Sequence, residues 1–261
     1  LAYLHTYNPP INLKIASNIT TLFCPIEMDR GNPISLKNNN KPVANALARW
    51  QSASKNLFVW DYTVQFANYM SPFPNLSYFE ENYTTFKANN VKGLFVQGYA
   101  DVPGDFSELR QYLLAKLLWD ASIDVKATTA DFLRGFYGKA ASEIENYLKL
   151  LSENQKKSKA YLDIYSGPVQ NRTTYLTPEA MNQYDKFLEK AWQAVDEDKT
   201  IQKRVEKLRL ALEYTYFEQA KFYGADAHGL FITNSNGEKI IKEGLNERVQ
   251  RFSQECKNDG I

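Results

Sequence analysis

The chain has 261 residues, 44% hydrophobic and 23% charged, with a net charge of +1. That length suffices for one large domain or two modest ones, and near-neutrality argues against a dedicated nucleic-acid binder, whose basic footprint would show in the totals. Two histidines exclude a His-rich metal site, and no run approaches the roughly 20 apolar residues of a membrane span. Cys24 and Cys256 lack metal-type spacing, and Cys24, in an apolar run, reads as a buried thiol. Neither a metal nor a cofactor is expected. Leu1 stands where an initiator methionine would, which suggests a mature or excised piece.

In chain order, Leu1–Tyr7 predicts a strand stopped by Asn8-Pro9-Pro10, with His5 hydrogen-bonded inside it. Asn18–Ile26 predicts a second strand, ending at Glu27 with a proline, Pro25, near its end. A helix over Pro42–Lys55 leads to a strand at Leu57–Tyr62. A proline-rich turn, a helix at Leu76–Asn89 and a strand at Val91–Gln97 follow. Asp105 and Glu108 are spaced as a capping box for a helix through Leu118, with Asp101 in the loop before it. This alternation indicates βα units on a parallel sheet, with strands about every 35 to 40 residues as in a (β/α)₈ barrel.

Beyond Asp120 the pattern is helical throughout. Helices are expected at Thr128–Tyr137, across the Ile144, Tyr147, Leu148 and Leu151 face, and from the Thr177-Pro178-Glu179 start to Val195. Two more are expected at Ile201–Tyr223 and Glu238–Cys256, with Gly167–Thr174 as a linker. The expected fold is therefore α/β, with the last four βα units of a partial TIM-type barrel in residues 1–125. An all-α region occupies 126–261. Half a barrel leaves two open edges, which a missing N-terminal half-barrel or a second copy should cover.

Parallel βα proteins carry their sites at the carboxyl ends of strands. Two strand ends here finish in carboxylates, Glu27 with Asp29 close behind, and Asp61. Neighbouring parallel strands lie about 4.8 Å apart, compatible with the roughly 5 to 9.5 Å between carboxyls in glycoside hydrolysis. Glu27 and Asp61 are the catalytic candidates. Trp60, Tyr62 and Tyr7 are candidate stacking rings, and Asp29 and Gln97 candidate hydroxyl binders. The competing expectation is that Glu27 pairs with Arg30 or Arg49 and that Asp61 caps a loop.

Five elements agree in order with a known family. They are Leu1-Ala2-Tyr3-Leu4-His5-Thr6-Tyr7 with Pro9-Pro10, Cys24-Pro25-Ile26-Glu27-Met28-Asp29-Arg30, Phe58-Val59-Trp60-Asp61-Tyr62 leading to Pro72-Phe73-Pro74-Asn75, Val91-Lys92-Gly93-Leu94-Phe95-Val96-Gln97-Gly98, and Leu109–Asp120. Over roughly residues 1 to 150 the chain resembles a large bacterial family of domains of unknown function related to α-glucuronidases and β-hexosaminidases. The resemblance implies an extracellular, periplasmic or surface-attached protein acting on polysaccharide through a TIM barrel followed by helices. It also implies that Glu27 and Asp61 are base-side carboxylates, with the general acid upstream of Leu1. The expected function is a glycoside hydrolase-like module, incomplete and inactive as these 261 residues. The alternatives are a non-catalytic glycan-binding module and a helical scaffold for protein partners.

Overall fold

The β-branched and apolar runs Thr20–Phe23 (β1), Asn56–Tyr62 (β2) and Gly93–Gln97 (β3) form a parallel sheet in the order β1-β2-β3. The structure, a computed structural model, describes residues 1–99, 102–225 and 227–261, so Asp101 lies outside the described residues. Helix Lys41–Ala53 (α1) links β1 to β2. Helix Phe79–Ala88 (α2), entered through a 3-10 turn at Leu76–Tyr78, links β2 to β3. Register places Phe23 beside Val59, Trp60 beside Phe95 and Asp61 beside Val96. The architecture is thus a partial parallel sheet with interleaved helices, followed by a long helical region.

The expected strand over Leu1–Tyr7 is reduced to one parallel bridge, Ala2 with Phe23. The chain then enters a 3-10 turn at Leu4–Thr6, where the Thr6 hydroxyl donates to the carbonyls of Leu1 and Tyr3. Those local bonds compete for the groups a ladder would need. His5 is consequently exposed in a turn rather than held inside a strand.

Strand alternation sends Leu57, Val59 and Asp61 to the buried side and Phe58, Trp60 and Tyr62 to the other. The buried side belongs to the core that also takes Val43, Ala46, Leu47 and Trp50 of α1 and Phe79, Tyr83 and Phe86 of α2. On the opposite side Phe58 lies over Gly93, where an added Cβ would come within 2.6 Å of its ring. Gly93 is therefore what lets the two strands pair with an aromatic ring between them.

Helix Ser107–Trp119 (α3) follows β3. The helical region then comprises Val125–Tyr137 (α4), Ala141–Ser158 (α5), Pro178–Gln193 (α6), Lys199–Tyr223 (α7) and Leu245–Asn258 (α8). Thr177 caps α6 by accepting from the Ala180 N–H at 3.2 Å, as its sequence predicts. Asp105 does not cap α3. Phe106 occupies that position in the left-handed region, and the Asp105 carboxylate is committed to Arg110 and the Phe73 N–H. The expected helix Glu238–Cys256 gives way to an antiparallel hairpin, Phe231–Thr233 (β4) with Lys239–Ile241 (β5), and only then α8. Nor does the 167–174 segment run free. Asn171 is buried, and Gln219 of α7 donates to the carbonyls of Pro168 and Leu176 at 3.0 and 2.8 Å. One cluster of buried side chains extends from Ala2 to Leu212.

Candidate functional site

Four aromatic rings run along the other side of the sheet to its carboxyl end, Phe95 exposed, Trp60 and Phe66 half-buried and Tyr62 buried. Trp60 meets Phe95 edge-on at 4.5 Å and lies near-parallel to Tyr62 at 6.3 Å, and Tyr62 meets Phe66 at 5.9 Å. Successive outward positions of β2 supply the middle pair, β3 supplies Phe95, and the loop after β2 supplies Phe66. The Trp60 indole N–H donates to the Gln97 side-chain oxygen at 2.9 Å, across the β2–β3 pair. That bond fixes the indole plane. Among the described residues it is also the only hydrogen bond of the Gln97 side-chain amide, so its N–H groups can donate to a ligand.

The two catalytic candidates occupy different environments. Glu27 is exposed in the loop after β1, and its carbonyl accepts from the Tyr161 hydroxyl. Asp61 is buried. It accepts from the Arg30 guanidinium at 3.3 Å and the Tyr62 N–H at 2.8 Å. Burial pushes the Asp61 carboxyl above its usual value, against the opposing pull of Arg30 and the Tyr62 N–H. Arg30 is equally enclosed, and burial lowers it while Asp61 counters. Arg30 therefore pairs with Asp61 and not with Glu27, and Arg49 turns away to Asn8 and the Pro9 carbonyl.

Arg30 also draws the rings together. Its guanidinium sits 5.6 Å from the Tyr62 ring centre and donates to the Pro25 carbonyl at 2.9 Å, while its Nε has no partner. Tyr7 feels both this cation and the Glu27 charge. Burial first, then the Glu27 charge, holds its phenol well above the usual value, with Arg30 opposing. The Tyr7 carbonyl accepts from the Trp50 indole at 2.7 Å, and its ring meets Phe23 at 5.1 Å. Trp60, Tyr62 and Gln97 thus lie together at the carboxyl ends of β2 and β3, while Tyr7 and Tyr161 attend Glu27 in the loop after β1.

Asp29 serves the scaffold. It is 0% exposed and accepts four hydrogen bonds: from the Gly31 and Leu162 N–H groups at 2.8 and 3.0 Å, and from the Asn32 and Asn39 amides at 2.8 and 2.9 Å. A carboxylate so saturated has no acceptor left for a sugar hydroxyl. Its contact to Leu162 belongs to an extended strap, residues 160–166, in which Ala160, Leu162 and Ile164 are buried while Tyr161, Asp163 and Tyr165 are exposed. The strap crosses both strand ends. Leu162 accepts from the Arg30 N–H at 3.1 Å and Ile164 from the Phe66 N–H at 2.7 Å. It adds Tyr161 and Tyr165 to the rim, two rings that the search of strand ends overlooks. The alternation Ala160-Tyr161-Leu162-Asp163-Ile164-Tyr165 is the signal that could have found them.

Arg110 braces the loops behind the rim. It donates to the Asp105 carbonyl and carboxylate at 2.8 and 3.0 Å, to the Phe73 carbonyl and to Asn75. A groove of about 400 Å³ between α3, α4 and α5 lies beyond this brace, lined by Leu76, Val125, Leu148 and Lys156, and is separate from the strand-end rim. Among the described residues no cluster of His, Cys, Asp or Glu could hold a metal ion, and both cysteines are free and buried. Among the described residues no helix is long and apolar enough to cross a membrane.

Residues 1–149 match the model of a family described as a domain of unknown function, DUF4838. The chain belongs to that family. The DUF4838 match takes in the whole parallel sheet, the Arg30–Asp61 pair and the aromatic row, and stops inside α5. The strap with Tyr161 and Tyr165 lies beyond it. No curated protein and no solved structure matches the chain.

Proposed function

We propose that this DUF4838 chain is a carbohydrate-active module that supplies one side of a sugar site, built on the last four βα units of a TIM-type barrel. The observation that carries the reading is the aromatic row Phe95, Trp60, Tyr62 and Phe66, leading to Gln97 and the exposed Glu27 at the sheet's carboxyl end. Flat rings match the apolar faces of pyranoses, and amide and carboxylate groups take their hydroxyls. In this reading Trp60 is the platform, backed by the buried Tyr62, with Gln97 a hydroxyl donor, Tyr7 a rim ring and Glu27 the base-side carboxylate. Asp61 acts as a positioning residue through Arg30. The polysaccharide partner, and the extracellular, periplasmic or surface-attached setting it implies, follow from the resemblance to glycosidase-related domains.

Glycoside hydrolysis needs two carboxyls in reach of one bond, one of them protonated. Asp61 is engaged with Arg30, which leaves Glu27 as the single open candidate of the pair. This favours a module that holds glycan without cleaving it when alone, the general acid coming from outside these residues. Glycan-array screening followed by calorimetry tests the reading. Binding should weaken at least about tenfold in Trp60→Ala, a loss of ~1.4 kcal/mol, and survive Glu27→Gln. Absence of binding to every glycan, or binding indifferent to Trp60→Ala, defeats it. Hydrolysis of an aryl glycoside by the chain alone, lost on Asp61→Asn, would return Asp61 to the chemistry.

A further inference from the structure

The carboxyl end of the sheet presents two separate patches to a ligand. One is Trp60 with Gln97 at the ends of β2 and β3, and the other is Glu27 with Tyr7 and Tyr161 in the loop after β1. In the order β1-β2-β3 the two outer strands lie two spacings apart, about 9.6 Å. A six-membered ring with bonds near 1.5 Å measures only about 6 Å between opposite exocyclic oxygens. One sugar seated at either patch leaves the other empty.

The strap, residues 160–166, joins the two. At the β1 end the Leu162 N–H donates to Asp29 at 3.0 Å, and the Leu162 carbonyl accepts from the Arg30 N–H at 3.1 Å. At the β2 end the Ile164 carbonyl accepts from the Phe66 N–H at 2.7 Å. There the Gln65 amide also donates to the Asp163 carbonyl and the Ser166 hydroxyl, at 3.3 and 3.0 Å. Ala160, Leu162 and Ile164 point into the core. The residues between them stay outside: Tyr161 is 46% exposed, Tyr165 61%, and the Asp163 side chain is exposed between the two. Tyr161 stands at Glu27, to whose carbonyl its hydroxyl donates. Tyr165 stands within electrostatic reach of the Tyr62 phenol, which backs Trp60. A ring, a carboxylate and a ring thus follow one another from patch to patch.

Core packing does not account for the two rings. Full burial of a large apolar side chain contributes about 1.5 to 3 kcal/mol, and both tyrosines forgo much of that while Leu162 and Ile164 beside them are almost wholly buried. The strap's inner hydrogen bonds already order its backbone, and a tyrosine has few rotamers to lose, so a ligand laid across it meets little ordering cost. Four residues of strap span at most about 14 Å, enough for two or three linked rings.

We infer that the strap makes this an oligosaccharide site, which takes a run of two or three linked sugars from Trp60 and Gln97, across Tyr165 and Asp163, to Tyr161 and Glu27, in preference to a single sugar. The inference rests on the carbohydrate reading above and adds to it the length of the ligand.

Calorimetry on the intact chain with glucose, xylose, mannose, galacturonate and N-acetylglucosamine oligomers of one to six units tests it. For the sugar that binds, affinity should rise at least about tenfold from one unit to three, ~1.4 kcal/mol, and level off beyond. Tyr161→Ala and Tyr165→Ala should each lower the trimer-to-monomer affinity ratio at least about threefold, and Tyr165→Phe, which keeps the ring, should hold it. Far-UV spectra and urea midpoints check folding, and Tyr165, mostly exposed, is the substitution on which folding depends less. A ratio lowered by either alanine variant supports the inference. Equal affinity for one unit and three, or a ratio that both alanine variants leave unchanged, overturns it while the Trp60 platform stands. Absence of binding by every oligomer overturns the sugar reading, and this inference with it.

Discussion

Asp61→Asn removes a negative charge where no water can replace it. The side chains of Arg30 and Asp61 are 2% and 5% exposed, and a single 3.3 Å contact joins them. The new amide can still accept from the Tyr62 N–H, but the guanidinium loses its one counter-charge while its Nε already lacks a partner. Breaking one side of such a buried pair costs about 3 to 5 kcal/mol, and the retained amide acceptor places this case near ~3. Urea unfolding followed by far-UV circular dichroism at pH 7 reads the loss. With a slope of about 2.5 kcal/mol per M, the midpoint should fall by about 1.2 M. The double variant Arg30→Met with Asp61→Leu should return to within about 1 kcal/mol of the parent, because both desolvation costs then vanish. A single-variant midpoint shift under about 0.3 M would refute the claim that Asp61 serves to hold Arg30.

Asp29→Ala should destabilise by about 3 kcal/mol, since it strands two buried N–H groups, and protease cleavage within residues 30–40 should rise with it. Gly93→Ala should cost about 1 kcal/mol in urea unfolding, as the Phe58 ring is pushed off β3. Glu108 gives a pH dependence: burial works against its carboxyl, but the Lys207 hydrogen bond and charge, with the hydrogen bonds from its own N–H and from Ser107, together hold it below its usual 4.5. The stabilisation is therefore complete above pH 4.5 and is lost as pH falls through the lower folded value. Because the pair is partly solvated it is worth at most about 1 kcal/mol, and Lys207→Met should flatten the stability profile between pH 3 and 6 by that amount.

The sheet was legible because β1, β2 and β3 are local apolar runs closed by proline, glycine or charge, and the helices from α4 to α7 because their faces repeat at helical spacing. Where side chains bond to their own backbone, the same signals mislead. Leu1–Tyr7 has a strand's composition, yet the Thr6 hydroxyl folds it into a turn. The hairpin was readable in Asn234-Ser235-Asn236-Gly237 between β-branched flanks, but the charged stretch after it suggested a helix. The strand-end carboxylates were visible as residue types. Their division of labour was not, because the partners that decide it are remote: Arg30 is 31 residues from Asp61, and the Leu162 N–H is 133 residues from Asp29.

That last separation sets an order of events at the ribosome. At about 5 to 20 residues per second, Leu162 follows Asp29 by about 7 to 27 s. β1 precedes that interval and β2 and β3 are completed within it, while the buried carboxylate that anchors the loop after β1 lacks one of its two backbone donors. The nascent sheet must therefore carry an open, water-filled rim until α5 and the strap emerge. A chain stalled at residue 149 would have its strands and aromatic row and no closed edge around them.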